Sequence, residues 1–454
     1  MTFLQFYGGV GEIGGNKILL EDEGIKIWLD FGQSFKMGED YFTGWLQPRI
    51  QNGLGDYFEF NLLPKLKGLY SENLLEGTPL KYEEPRFNGI FISHAHFDHF
   101  SHICFIDPII PIYCGSGTKL FLEASEEAGV SSNYGSHEYK TFRSGVKIKL
   151  DGLELTPIHV DHSVPASYGF IIETSSGTVV YTGDLRAHGP KHEMTEEFIK
   201  AAVEAEPVAL ISEGTRMGVK EKHKNLSEDE VLKGVKEILD GIDGSNLSVL
   251  YTHNSRDTDR FLTFYKAAES YGKYLVITPR FAYLLLKLVK DEHLKLPNPL
   301  SDDLIKVYYR RKKSGKYSET DYYEWERIFW EKKITAKEVK KHPGKYMMDL
   351  GFYYFTELID LRPKPGSPFI YSMSEPFDEG NIEDQVLHNW LDHFGLRYHQ
   401  LHASGHMSKK EIKETIFRIN PKTVYPVHTE NPSLFSKFYD KVVIPKKGRK
   451  YDLI

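Results

Sequence analysis

The chain has 454 residues and a formal net charge of −7 at pH 7. At roughly 150 residues per domain, this length predicts about three structural units. Hydrophobic residues make up 40% of the chain and charged residues 27%, which excludes disorder over most of its length. No stretch approaches ~18 consecutive uncharged apolar residues, so the sequence also excludes a membrane span.

The amino terminus and the cysteines bear on where the protein acts. The first residues, MTFLQFYGGVGEIGG, lack a charged segment followed by a long apolar run, and they indicate a strand and a glycine turn rather than a signal peptide. Cys104 and Cys114 are the two cysteines, too few for a disulfide framework or a cysteine-based zinc site. We expect both to be buried, and we expect a cytoplasmic location.

Residues 1–32 alternate short apolar runs with glycine turns, which predicts three strands. Gly9, Gly11 and Gly14 satisfy the dinucleotide-binding pattern G-x-G-x-x-G, but that site needs a helix to follow. The following residues, NKILL, indicate another strand instead. We therefore interpret the glycines as hairpin turns, with cofactor binding as the weaker alternative.

The rest of the chain falls into segments of different texture. Residues 33–88 are rich in aromatics, Gly and Pro with weak periodicity, which is typical of a lid or an insertion. Residues 89–217 contain strands that end in polar loops. Residues 218–367 alternate helices and strands, beginning at the capping box Ser227–Glu230, and predict a second α/β domain with a parallel sheet.

The densest chemical signal is Ser93-His94-Ala95-His96-Phe97-Asp98-His99, which follows the predicted strand GIFI. Three imidazoles and a carboxylate within six residues are suited to borderline cations such as Zn²⁺, and the same ligands tolerate Mn²⁺. A polar surface loop is the alternative. Later predicted strands also end in His or Asp, at His162, Asp184 and His428. Strand ends that converge at one sheet edge are how α/β active sites are built.

On these residues, HAHFDH with the later VDHS and TGD, the sequence resembles the metallo-β-lactamase superfamily over most of its length. The resemblance implies an αβ/βα sandwich with two Zn²⁺ ions. One ion would take His94, His96 and His162. The other would take Asp98, His99 and His428, with Asp184 bridging the two.

A finer resemblance is to the β-CASP branch of nucleases, carried by VALISEGTR, HASGH and PVH. It implies a metallo-β-lactamase domain in two parts, residues 1–217 and 386–454, with an inserted α/β β-CASP domain over 218–385. The spelling HASGH is most similar to the ribonuclease J family of archaeal type. There the first His and the Ser line a pocket for the RNA terminal phosphate, which implies phosphate binding by His402, Ser404 and Gly405. Ser255, after the predicted strand SVLY, is a further phosphate-binding candidate.

The resemblance also implies a mechanism. A hydroxide that bridges the metal ions would attack phosphorus in line, with His406 as general acid and Glu213 holding its imidazole. Asp98 belongs to the same catalytic set.

We thus predict a zinc-dependent ribonuclease that degrades single-stranded RNA 5′→3′ from 5′-monophosphate ends, with endonuclease action as well. A cleavage-factor-type endoribonuclease, a small-molecule metallohydrolase such as a thioesterase, and a metal-bound RNA-processing scaffold are the alternatives. No membrane partner is expected, and the oligomeric state stays open, although relatives often form homodimers.

Overall fold

The computed structural model describes residues 1–129, 133–218, 226–374 and 382–453. Within these ranges the chain forms two compact units. The first comprises residues 1–122, 133–218 and 405–453, and the second comprises residues 123–129, 226–374 and 382–404. The second unit is therefore a continuous insertion apart from one short segment.

The strands alternate between short edge pieces and longer buried runs. In chain order, the described strands are β1 (Thr2–Gly8), β2 (Lys17–Asp22), β3 (Ile25–Phe31), β4 (Gly89–Ile92), β5 (Ile112–Gly115), β6 (Tyr139–Phe142), β7 (Ile148–Leu150), β8 (Leu153–His159), β9 (Tyr168–Thr174), β10 (Gly177–Tyr181), β11 (Ala209–Glu213), β12 (Val249–His253), β13 (Tyr274–Ile277), β14 (Ile305–Tyr308), β15 (Lys333–Ile334), β16 (Tyr346–Asp349), β17 (Pro368–Ser372), β18 (Arg397–Gln400), β19 (Val424–Val427) and β20 (Lys450–Leu453).

The helices range from single turns to runs of three or four turns. In chain order, the described α-helices are α1 (Gly55–Glu59), α2 (Phe97–Phe100), α3 (Ser116–Glu127), α4 (His192–Glu204), α5 (Glu228–Asp240), α6 (Thr258–Ser270), α7 (Pro279–Leu288), α8 (Glu324–Arg327), α9 (Ala336–Lys341), α10 (Leu358–Leu361), α11 (Ile382–Phe394) and α12 (Lys409–Ile419). Across the described ranges, none of them is both long and apolar enough to cross a membrane.

The first unit contains two mixed sheets. One has the order β20-β1-β2-β3-β4-β5-β6 and the other β19-β11-β10-β9-β8-β7. Strands β1 and β8 alternate buried and half-buried residues, as expected for strands with one face on a core. Leu29 and Phe91 of the first sheet share one apolar cluster with Phe170 and Ile211 of the second, so the two sheets pack face to face.

The outer faces of both sheets are also covered. Phe198 of α4 and Ile416 of α12 pack with Val180 and Leu210 on the second sheet. Together with the inter-sheet core, these layers form the predicted αβ/βα sandwich, and the predicted α/β class is confirmed.

Residues 33–88 cover the outer face of the first sheet. Leu54, Phe58 and Leu69 are buried there in one cluster with Trp28 of β3 and Ile90 of β4. Burying these side chains removes apolar surface from water, at roughly 25 cal/mol per Å². The segment predicted as a lid or an insertion thus forms a covering layer in the place that a helix usually takes in a sandwich.

The second unit is built on one parallel sheet, in the order β15-β14-β13-β16-β12-β17-β18. Its interior strand β12 is buried along its whole length. Helix α5 begins at Ser227, whose side chain accepts a hydrogen bond from the backbone N–H of Glu230 in a capping box. This is the inserted α/β domain with a parallel sheet that the sequence predicts.

Two details refine the sequence-based expectations. Strands β1 and β2 pair antiparallel, so the glycines between them close a hairpin and open no dinucleotide-binding helix. The first domain was expected to resume at residue 386, whereas residues 386–404 belong to the second unit. The physical reason is that β18 (Arg397–Gln400) pairs in parallel with β17.

Candidate metal centre

The site lies where several strands of the first unit end. His94 and His96 follow β4 directly, and Asp98 and His99 lie in the single turn of α2. His428 follows β19, and Asp184 follows β10 within a few residues. Strand β4 belongs to the first sheet, and β10 and β19 belong to the second, so residues far apart in sequence meet where strands of the two packed sheets end.

The first cluster consists of His94, His96, His162 and Asp184. His96 Nδ1 lies 3.1 Å from His94 Nε2 and 3.0 Å from His162 Nε2. Asp184 Oδ2 is 3.6 Å from His94 Nε2 and 4.0 Å from His162 Nε2. Three imidazole nitrogens and one carboxylate oxygen around a common point form a donor set that suits a tetrahedral zinc ion.

The second cluster consists of Asp98, His99, His428 and again Asp184. His428 Nε2 lies 2.8 Å from Asp98 Oδ2 and 3.6 Å from Asp184 Oδ2. His99 Nε2 lies 3.6 Å from Asp98 Oδ2 and 3.1 Å from Asp184 Oδ2. All four side chains are buried. Asp184 is thus common to both clusters, in the position of a bridging carboxylate.

Hydrogen bonds at the opposite ring nitrogens orient the histidines of the site. His162 Nδ1 donates to the carbonyl oxygen of Gly405 at 2.5 Å. Thr215 Oγ1 lies 2.8 Å from His428 Nδ1. Such partners select the tautomer and aim the other nitrogen at the metal position. Gly405 must be a glycine for this approach, since a Cβ there would lie 2.7 Å from Ser163 Oγ.

Asp30 is a functional residue that sequence reasoning missed. Its carboxylate accepts from His99 Nδ1 at 2.7 Å, from the backbone N–H of Ser93 at 2.7 Å and from the Tyr181 hydroxyl at 2.6 Å. Asp30 is fully buried and has a φ of +58°, an uncommon conformation for a residue with a side chain. Its signal in the sequence was an aspartate at the end of the apolar run IWL, the same pattern as Asp184 after TVVY.

The electrostatics differ between the two clusters. Burial, together with neighbouring histidines, lowers the pKa of His94 and of His162 well below the usual value. Burial opposes the charged form of His99 as well, but Asp184, Asp30 and Asp98 outweigh it and raise the pKa of that ring. The buried carboxylates therefore call for positive charge at the second cluster.

One structural observation indicates that these residues fit a metal ion. Asp184 Oδ1 is buried and has no hydrogen-bond partner among the described residues. A buried carboxylate oxygen without a partner costs free energy unless a cation or a donor compensates it. The two His and Asp clusters on either side of this carboxylate are a metal-binding site.

His406 and Glu213 lie beside the clusters. His406 Nδ1 is 3.4 Å from Glu213 Oε1 and 3.9 Å from Asp184 Oδ2. Glu213 is fully buried, and its other oxygen accepts from the backbone N–H of Thr215 at 2.8 Å. The His406 side chain remains 21% exposed. A histidine that is partly exposed to solvent and lies next to a fixed carboxylate can exchange a proton with a bound molecule.

The remaining phosphate-binding candidates belong to the second unit. His402 Nδ1 lies 3.4 Å from Nη1 of Arg260, whose buried guanidinium also donates to Glu228. Ser404 ends this unit, next to Gly405. Ser255 is exposed in the loop between β12 and α6. The structure therefore brings Gly405 to the candidate ligand His162 and places His402 beside the buried ion pair of Arg260 and Glu228.

The basic run at residues 310–313 is largely occupied by other contacts. Arg311 is paired with Asp360, and Lys312 with Glu326. Arg310 stacks over the ring of Tyr354 at 5.2 Å. These contacts favour a charged surface of the second unit over an open track for a nucleic-acid strand.

Two family profiles match separate parts of the chain. The beta-lactamase superfamily domain matches residues 66–237, and the Zn-dependent metallo-hydrolase RNA specificity domain matches residues 395–436. The first match contains the HAHFDH motif, His162 and Asp184, and the second contains His402, His406 and His428.

Curated relatives extend the similarity beyond these two segments. Ribonuclease J of Helicobacter pylori is 22% identical over 93% of this chain, which spans 55% of that protein's length. Ribonuclease J 1 of Streptococcus pyogenes is 23% identical over 93% of this chain and 68% of its own. The chain thus spans only about half the length of the Helicobacter relative that it matches.

A solved structure shows the same fold. A protein of unknown function from Enterococcus faecalis superposes with a TM-score of 0.78 at 22% sequence identity, over 99% of both chains. The motifs, the sandwich with its inserted parallel sheet and the profile matches agree with one another. The chain resembles the metallo-β-lactamase superfamily and, within it, the β-CASP ribonucleases J over most of its length.

Proposed function

We propose that this protein is a zinc-dependent ribonuclease that hydrolyses the phosphodiester bonds of single-stranded RNA. The observation that carries the proposal is the pair of clusters sharing Asp184, with the His406–Glu213 pair beside them. A site with two metal positions and an adjacent proton donor is what phosphodiester hydrolysis requires. The match of an RNA specificity profile to residues 395–436 supports RNA as the substrate.

The first cluster would hold one Zn²⁺ and the second another, with Mn²⁺ tolerated by the same ligands. When bound, such ions lower the pKa of a water molecule toward neutrality and offset the charge of a phosphate group. Asp184 belongs to both donor sets, so it holds the two positions together. Asp98 completes the second donor set, and its Oδ2 lies 2.8 Å from Nε2 of His428.

His406 would protonate the leaving oxygen. Its Nδ1 faces Glu213 and Asp184, which leaves Nε2 as the nitrogen that would carry a proton to the substrate. Glu213 is a positioning residue, because it is buried and touches the substrate region only through His406. Stabilising the charged imidazole and fixing its orientation would each raise the rate of proton transfer to the leaving oxygen.

The phosphate-binding candidates decide from which end the RNA would be degraded. We propose that His402, Ser404, Gly405 and Ser255 bind a terminal 5′-phosphate, which would make the enzyme a 5′→3′ exonuclease. Backbone N–H groups at the start of helix α12 favour an anion, and the capping box of Ser408 and Glu411 holds that helix start in place. Within the second unit, the guanidinium of Arg260 lies beside His402 and is paired with Glu228.

The experiment is cleavage of labelled single-stranded RNA by the metal-loaded protein. Three otherwise identical substrates carry a 5′-monophosphate, a 5′-triphosphate or a 5′-hydroxyl. Mononucleotides released first from the monophosphate substrate are expected. Internal fragments that do not depend on the 5′ end would identify a cleavage-factor-type endoribonuclease instead. Absence of cleavage with both metal positions filled would contradict the proposal and favour a small-molecule metallohydrolase.

A further inference from the structure

A second polar cleft in the first unit has no role in the chemistry described so far. It has a volume of about 500 Å³, which lies within the range of small-molecule sites. Its walls come from the glycine loop after β1, the start of the segment 33–88 and the turn before β20. Four of its lining residues are lysines and one is acidic: Lys17, Lys36, Lys65, Lys447 and Glu12. This local positive charge stands against a net charge of −7 for the whole chain.

The floor of the cleft holds a buried lysine. Lys17 is 3% exposed, and its ammonium group donates to the carbonyl oxygens of Gly15 and Gly32. Burial lowers the pKa of Lys17 to about 7, with Glu12 raising it and Lys447 lowering it further. A buried ammonium without a carboxylate in direct contact is electrostatically unsatisfied and favours an anion nearby.

A buried hydroxyl lies in the same wall. Ser34 is 5% exposed, and its Oγ has no hydrogen-bond partner among the residues that the structure describes. The backbone of Gly15 packs directly on it, since a Cβ on Gly15 would lie 2.6 Å from the backbone nitrogen of Ser34. A buried donor left without a partner costs about 1–3 kcal/mol, so a ligand that accepts its hydrogen bond would be stabilised by comparison.

Two further lysines lie on the rim of the cleft. Lys65 has no ion-pair partner in the described part of the chain, and Lys36 is 43% exposed and paired with Glu430 at 3.0 Å. The one acidic lining residue, Glu12, has its charge offset by Lys447 at 2.8 Å. The cleft therefore presents donors and positive charge with its carboxylate already paired.

We propose that this cleft is an anion site that binds a phosphate group through Ser34, Lys17 and the rim lysines. A phosphate oxygen accepts hydrogen bonds from both hydroxyl and ammonium donors, and charge-assisted bonds of this kind are the strong ones. The site is separate from the two metal clusters, so the proposal does not rest on the proposed function.

The phosphate can belong to a free phosphate ion or to a nucleotide. Phe35 lies in sequence between two lining residues and is 65% exposed. An exposed aromatic ring beside a cationic cleft is a stacking surface for a nucleobase. The two sources therefore differ in whether Phe35 contributes to binding.

The test is calorimetric titration of inorganic phosphate and of adenosine 5′-monophosphate into the full chain, once metal-loaded and once stripped with a chelator. Removing the metal ions also removes phosphate binding at the metal centre. We expect the cleft still to bind phosphate in the chelator-treated protein. The variant Ser34→Ala should weaken it about tenfold, because a hydrogen bond to a charged group is lost. The same variant should not lower the unfolding midpoint in phosphate-free buffer and should raise it, because the buried hydroxyl has no protein partner to lose and its desolvation cost is removed.

A matched pair of lysine variants controls for general charge. Lys36→Gln should weaken phosphate binding severalfold, whereas Lys140→Gln should not, although both lysine side chains are 43% exposed. Tighter binding of the nucleotide that is lost in Phe35→Ala assigns the site to nucleotides, and equal binding assigns it to free phosphate. Absence of phosphate binding in metal-free protein, or equal binding by wild type, Ser34→Ala and Lys36→Gln, overturns the proposal.

Discussion

The carboxylate of Asp30 lies 2.7 Å from Nδ1 of His99, and both side chains are fully buried. This contact fixes the ring so that Nε2 faces Asp184 and the second cluster. Asp30 also accepts hydrogen bonds from the backbone N–H of Ser93 and from the Tyr181 hydroxyl. These bonds connect the end of β3 to the ends of β4 and β10. One residue that binds no metal itself thereby orients the loop that supplies most of the ligands.

Asp30→Asn should therefore lower metal affinity by about 10–100-fold, the usual cost of losing such a partner. The measurement is zinc content and affinity by competition with a chromophoric chelator. Asp22→Asn is the matched control, since Asp22 is also a buried aspartate but bonds Thr2 and Ser175 instead. If both variants lose zinc equally, Asp30 acts through general stability and not through His99.

His406→Ala should reduce kcat by about 10²–10⁴-fold, the range for a lost general acid, while both metal positions stay filled. Glu213→Gln should reduce kcat less, because the imidazole keeps a neighbouring side chain of the same shape but loses its charged partner at 3.4 Å. Metal analysis and kinetics on the same preparations give the answer. Loss of metal in His406→Ala would remove the general-acid role.

Gly32→Ala should abolish metal binding and destabilise the protein by about 3 kcal/mol or more, as overpacking against backbone does. A Cβ at this position would overlap the carbonyl oxygen of Asp98, so α2 could not keep its place on β3. Gly24→Ala is the control, because Gly24 has a φ of +89° but no heavy atom within 4 Å of the added Cβ. Its cost should stay near 1 kcal/mol, with metal content unchanged. Thermal unfolding and zinc content distinguish the two.

Lys17 should give stability a defined pH dependence. Its pKa is about 7 in the folded chain and 10.5 as the ordinary value, so between these values the unfolded chain binds the extra proton. Stability therefore rises with pH across this window, and the destabilising contribution is fully present below pH 7. Relative to Lys17→Met, the wild type should gain about 1.4 kcal/mol per pH unit between pH 7.5 and 9.5.

Urea unfolding of both proteins in phosphate-free buffer is the measurement for Lys17. Other titrating groups contribute equally to wild type and variant, and they cancel in the difference. Parallel stability curves for the two proteins would show that Lys17 keeps its charge in the folded state.

The ligand residues could be predicted from the sequence because their signal is local. His94, His96, Asp98 and His99 lie within one loop, and their residue types select the chemistry. Asp30 also ends an apolar run, but its contact could not be assigned from the sequence, because its partner His99 lies 69 residues further along the chain. The end of the inserted unit was also misplaced, since only the pairing of β18 with β17 assigns residues 386–404 to it.

The sequence by itself determined the candidate metal ligands, the α/β class, the hairpin at the glycines and the capped helix starts, because each depends on residue type or on short-range periodicity. The tertiary structure alone decided which strand ends meet. It placed Asp184 between two clusters, buried Lys17 under a glycine loop and turned residues 33–88 into a covering layer. The physical reason is that strand order and burial depend on contacts between residues far apart in the chain, and local patterns carry little information about such contacts.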